Sequence, residues 1–216
     1  MANAKTLDRR SIVLGALATS GAALLPGAAL AQATGGVRPP TPGQTEGPFY
    51  PTVLPPDTDN DLVVLRGAVA RAEGVVTHIA GRVLGRDGRP LAGARVEIWQ
   101  CDARGNYRHP GSDGFGPRDG AFQGFGRAVA AADGSYSFRT IRPTAYPGRT
   151  PHIHFGVVAP GGRRLTTQMY VADEPLNERD GLYRSLGRAR DLVTVRLEPA
   201  NGIEAGALAG TFELVL

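Results

Sequence analysis

The chain has 216 residues, with 24 basic side chains against 20 acidic ones, a formal net charge of +4, and 30 glycines and 17 prolines spread along it. That length suits one hydrophobic core with extended arms, and glycine and proline that punctuate short apolar runs favour many turns over a disordered tract. After Lys5 every basic residue is arginine, scattered among acids with no basic stripe or interleaved aromatics, which argues against a nucleic-acid partner.

Residues 1–31 read as an address label. The pair Arg9 and Arg10 precedes an Ala, Gly and Leu run that ends in Ala29-Leu30-Ala31. That order of charged, apolar and small-residue regions is that of a cleavable export signal, here of the bacterial twin-arginine type. A membrane anchor fits less well, because the run is weakly hydrophobic, contains Pro26 and closes on a small-x-small site. Cleavage is expected near Ala31, leaving an exported, periplasmic or extracellular protein with no membrane attachment. Loss of Lys5, Arg9, Arg10 and Asp8 takes the counts from 24 and 20 to 21 basic and 19 acidic side chains, a net charge of +2.

Residues 32–60, rich in Pro, Gly and Thr, read as an extended arm that lies over something else, and residues 61–216 as one domain. Short β-type runs follow at 62–66, 75–84, 93–101, 124–130, 134–140, 152–158, 164–171, 191–198 and 210–216. Turn signals such as Gly85-Arg86-Asp87-Gly88, Asp133-Gly134 and Pro160-Gly161-Gly162 separate many of them. This pattern predicts an all-β fold, an antiparallel β-sandwich with long loops and an extended N-terminal arm. Helical periodicity is poor, and only 175–188 has room for a helical turn or two. The connection 102–123 is polar and glycine-rich, and loops of that length in a compact domain are commonly functional. Cys101, the only cysteine, ends the apolar run VEIWQC; it can form no intrachain disulfide and reads as a small buried hydrophobe, not a catalytic thiol.

The run HIHFGVV at 152–158 carries two of the four histidines. In a strand, residues two apart share a face, so His152 and His154 project together while Ile153, Phe155 and Val157 fill the other side. The apolar face is complete without the imidazoles. Two imidazoles about 6 to 7 Å apart along a strand can converge on one metal with bonds near 2.1 Å, although histidines in strands also serve as packing residues. Further ligands must come from elsewhere. Tyr107 and Tyr146 are the conspicuous candidates, since a phenolate is a hard anionic donor and two of them favour a ferric ion. Packing or hydrogen-bonding roles stay open for both on spacing alone. His78 and His109 read as ordinary polar residues.

Four blocks carry a resemblance. LAGARVEIWQCDARGNY (91–107), AYPGRTPHIHF (145–155), TEGPFYP (45–51) and TTQMY (166–170) together resemble the intradiol ring-cleavage dioxygenases, the protocatechuate and catechol dioxygenases. The resemblance implies a non-haem Fe(III) held by Tyr107, Tyr146, His152 and His154, with Tyr146 as the axial ligand that substrate displaces and an internal base. By the same match Arg149 stabilises negative charge on the substrate, Gln168 is the glutamine beside the site, and the 45–51 segment borders it. The implied substrates are a small catecholic aromatic and O2, with oxygen inserted between the two hydroxylated carbons to give an anhydride and then a muconate-type diacid. No organic cofactor is implied, in keeping with the lack of a strand-to-helix G-x-G-x-x-G; a homo-oligomer is compatible with the resemblance. Two competing readings are an exported β-sandwich binding module with a remnant metal site and a zinc hydrolase, the latter weakened by the tyrosines.

Overall fold

The structure is a computed structural model that describes residues 36–112, 114 and 116–216. The export signal expected at 1–31, and the first residues of the arm, lie outside the described residues. Two five-stranded sheets stack into a sandwich. The first joins β1 (Val76–Leu84), β4 (Ser135–Ile141), β8 (Glu198–Pro199), β9 (Leu208–Thr211) and β10 (Leu214–Val215). The second runs in the order β3 (Phe125–Val129), β2 (Arg95–Trp99), β5 (His152–Val158), β6 (Arg164–Val171) and β7 (Thr194–Val195).

The longest ladders, β1 with β4 and β5 with β6, are antiparallel. The sheets are nevertheless mixed, not purely antiparallel as the sequence suggested, because β1 pairs in parallel with β9 and β10 and β6 with β7. The chain reaches these short strands through long returns, which parallel pairing requires. Residues 62–66 are not a strand. Leu62 and Val63 are buried there in a loop whose backbone bonds Arg139 and Ala72, so an apolar run plugs the end of the core without joining a ladder. Between β6 and β7 lie a short α1 (Gly181–Ser185) and 3-10 turns on either side, capped at its N-terminus by Asp180.

Alternation along the strands builds the core. Val96 and Ile98 of β2, Ile153, Phe155 and Val157 of β5, and Ile79 and Phe138 of the first sheet are buried in one cluster. Phe155 packs edge-on against Phe212 and Phe138, with ring centroids at 4.9 and 6.5 Å, and burying such a ring stabilises by roughly 2 to 3 kcal/mol. At Gly81 the chain between β9 and β10 crosses so closely that a Cβ would stand 1.8 Å from the Phe212 carbonyl oxygen, so only glycine lets β1 pair on that side. With one face of β2, β5 and β6 committed to this core, their other face is left to carry polar chemistry. No helix among the described residues is long and apolar enough to cross a membrane.

Candidate active site

The candidate site lies on the outer face of the second sheet. His152 and His154 of β5 project there together, and their Nε2 atoms come to 3.1 Å from each other. The Nδ1 of His152 is 2.6 Å from the Thr150 carbonyl oxygen. A carbonyl only accepts, so Nδ1 carries the proton and the Nε2 lone pair is free. His154 is held by stacking, its ring 4.9 Å from that of Trp99 at an interplanar angle of 9°. Trp99 stands directly across the ladder from it on β2.

Tyr107 reaches the pair from the loop after β2, its hydroxyl 3.4 Å from His152 Nε2. That loop is organised by Asp102, which accepts the backbone N–H groups of Arg104, Asn106 and Asp119. Tyr146 comes from the turn before β5, where Arg149 N–H donates to the Tyr146 carbonyl at 3.0 Å and Gly148 takes a φ of +81°. The short interval from Tyr146 to His152 thereby brings the two rings to 5.5 Å, and Tyr146 stands edge-on to Tyr107 at 5.3 Å.

Arg149 spreads its fork over three partners. Nε donates to Asp180 at 2.8 Å, Nη2 to Gln168 Oε1 at 2.5 Å and Nη1 to the Tyr146 hydroxyl at 3.3 Å. Asp180 is buried and also accepts the N–H groups of Thr150, Leu182 and Tyr183. Burial pushes its carboxyl up, but the hydrogen bonds from Tyr183 N–H, Arg149 and Thr150 N–H together outweigh that and hold it below the usual carboxylate range.

The arm forms the roof. Phe49 stacks on Tyr107 at 5.0 Å, and Tyr50 packs edge-on against Trp99 and Phe125 at 5.0 and 5.9 Å. Gly47, at a φ of +75°, lies so close that a Cβ there would sit 3.3 Å from His154 Cε1. The enclosure sets the charges. Burial, with Arg149 adding to it, lowers the pKa of His152 to about 3, and burial followed by the neighbouring His152 and Arg149 takes His154 well below its ordinary value. Both imidazoles are therefore neutral donors. Burial raises the Tyr107 and Tyr146 phenols, against the pull of Arg149, so they need a cation to ionise. Two neutral imidazoles and two phenols wanting a cation fit a ferric ion. Among the described residues no group of three His, Cys, Asp or Glu gathers to offer another set.

All six residues expected from the sequence, Tyr107, Tyr146, Arg149, His152, His154 and Gln168, thus meet in one place. Cys101 is buried behind Tyr107 and Trp99, its thiol pushed up to about 12 by burial, as suits a packing residue. His78 lies on the other sheet, and His109 packs against Phe49 of the roof, at 5.7 Å. Sequence reasoning missed Asp180, the Thr150 carbonyl and the closeness of Gly47. The one local signal among these was Asp180 as a helix cap, followed by Gly181.

The chain is similar to known proteins. A family profile described as "Dioxygenase" matches residues 45–216. The protocatechuate 3,4-dioxygenase beta chain of Burkholderia cepacia is 37% identical over 73% of this chain and 71% of its own length. A catechol 1,2-dioxygenase of Candida albicans is 32% identical over 63% of this chain, which spans about half of that relative, 49%. Among solved structures, the dioxygenase domain of a dioxygenase carbohydrate-binding protein fusion from Streptomyces sp. SirexAA-E is 35% identical with a TM-score of 0.63, covering 82% of this chain and 98% of that one.

Proposed function

The chain belongs to the intradiol ring-cleavage dioxygenase family, and from that premise we propose that it is a non-haem Fe(III) enzyme. It cleaves a catechol-type ring between its two hydroxylated carbons with O2 and gives a muconate-type diacid. The observation that carries this reading is the meeting of the two phenols with two Nε2 atoms 3.1 Å apart under an aromatic roof.

In this reading Tyr107, Tyr146, His152 and His154 would hold the iron, which would supply electron withdrawal from the catechol and orient its ring toward O2. The remaining work belongs to the chain. Tyr146 is less enclosed than Tyr107; it would be the donor that gives way to substrate, and its Oη would take a catechol proton. Arg149, with Nη1 at 3.3 Å from that Oη, stabilises negative charge that gathers on the ring; a fixed guanidinium in a water-poor site does this without reorganisation. Asp180 and Gln168 keep it aimed. Phe49, Tyr50 and Trp99 exclude water. The non-catalytic binding module is not favoured, because none of the four donors is missing and the matched relatives are named as dioxygenases. The signal read at residues 1–31 supports a place for this chemistry outside the cytoplasm, which N-terminal sequencing of the periplasmic fraction tests.

A visible absorption spectrum of the iron-loaded protein tests the main reading. We expect a broad phenolate-to-iron charge-transfer band that shifts when catechol is added, oxygen uptake, and both atoms of labelled O2 in the product. A protein that stays colourless after reconstitution with ferric iron overturns the assignment.

A further inference from the structure

The hydrogen bonds behind Arg149 begin on the arm, and their directions are fixed by chemistry. Gln44 lies beside the stretch of β6 that β7 leaves uncovered. Its backbone N–H donates to the Thr166 carbonyl at 2.8 Å, and its side-chain Oε1 accepts the Gln168 backbone N–H at 3.2 Å. The side-chain amide thereby continues the ladder that a sheet edge would otherwise leave open. Its Nε2 then donates to the Tyr170 hydroxyl at 2.9 Å.

A tyrosine hydroxyl has a single proton to give. Because Tyr170 receives from Gln44, its own proton goes to Gln168 Oε1, 3.1 Å away. The other end of the Gln168 amide, Nε2, donates to the Thr45 carbonyl at 3.1 Å, a group that can only accept. Oε1 is thus turned toward Arg149 and takes Nη2 at 2.5 Å. With Asp180 on Nε, the guanidinium has one corner left, and that corner faces Tyr146.

We propose that Gln44 is a positioning residue for the reaction: through Tyr170 and the Gln168 backbone it sets the Gln168 amide, and with it the guanidinium of Arg149. The catalytic consequence rests on the ring-cleavage reading; the geometry does not. The role depends on direction, not only on contact. Gln44→Glu keeps the size and the acceptor for the Gln168 N–H but removes the donor to Tyr170. Tyr170 then turns its proton to the new carboxylate, and Gln168 Oε1 loses one of its two donors. Gln44→Ala removes both bonds.

Two readouts on the mature chain test this. Steady-state turnover of catechol per bound iron is expected to fall about tenfold in Gln44→Glu, the scale of one hydrogen bond near a charged group, with KM within about twofold and the chain still fully folded at the assay temperature. In the metal-free protein, the side-chain NH2 resonances of Gln168, assigned through Gln168→Glu, are expected to move in both Gln44 variants. Unmoved resonances overturn the proposal, as does an unchanged turnover per iron when the resonances have moved. If the parent chain binds no iron and turns over no catechol, the ring-cleavage reading fails instead. The metal-free spectra then still decide whether Gln44 sets Gln168.

Discussion

On the outer face of the first sheet, His78 sits 3.3 Å from Glu204, which takes two nitrogens of Arg139 at 2.8 Å, while Asp61 takes a third at 3.0 Å. The His78, Glu204 and Arg139 side chains keep 21, 26 and 24% of their surface in water. On the outer face of the second sheet, His152 and His154 stand in the same strand alternation beside the Arg149 and Asp180 pair, yet Asp180 keeps 1%. Both faces offer histidine, arginine and carboxylate. What differs is cover: residues 44–50, residues 102–112 and the 142–151 turn roof one face, and the other is left wet. Water solvates any charge it can reach, so the first cluster tolerates loss of a member, whereas under the roof each polar group depends on its partner.

The largest expected contrast is in metal binding. His154→Ala is expected to lose at least about a hundredfold in affinity for ferric iron, since losing even a group behind a ligand commonly costs 10 to 100-fold. His78→Ala should keep full iron content, read as iron per chain after dialysis. Equal retention by the two variants would break the comparison.

Stability should differ next. Arg149→Leu strands a buried carboxylate and is expected to cost about 3 kcal/mol, whereas Arg139→Leu leaves Glu204 and Asp61 in water and should cost roughly 1 kcal/mol or less. Urea unfolding of the metal-free variants measures both.

The smallest effect is a pH dependence on the wet face. The hydrogen bonds from Arg139 hold the Glu204 carboxyl down at about 2, below its unfolded value. Its contribution is therefore fully present above roughly pH 4.5 and is lost as pH falls through about 2. Solvent screening keeps it under about 1 kcal/mol. The thermal midpoints of the parent and Glu204→Gln should converge between pH 5 and 2; a gap that widens on acidification would contradict this.

Much of the site could be read before the fold was known. The bounds of β5 and β6 match the short β-type runs read at 152–158 and 164–171, and alternation along the first puts His152 and His154 on one face and Ile153 and Phe155 on the other. The short motifs around Tyr107, Tyr146, Arg149 and Gln168 supplied the rest through resemblance. Residues 62–66 misled, because an apolar run reads the same whether it joins a ladder or plugs the end of a core. The parallel pairings of β1 were also out of reach, since they join it to strands more than a hundred residues later.

Sequence by itself therefore determined which residues alternate, where the chain turns and which side chains have the chemistry to hold a metal, because those depend on neighbours along the chain. Tertiary structure alone decided that Asp180, thirty-one residues from Arg149, holds its Nε, that Gln44 meets Gln168 across the edge of β6, and that Gly47 lies against His154. Those contacts depend on where loops and arm come to rest, and a short polar residue in a loop has no periodicity to announce its partner.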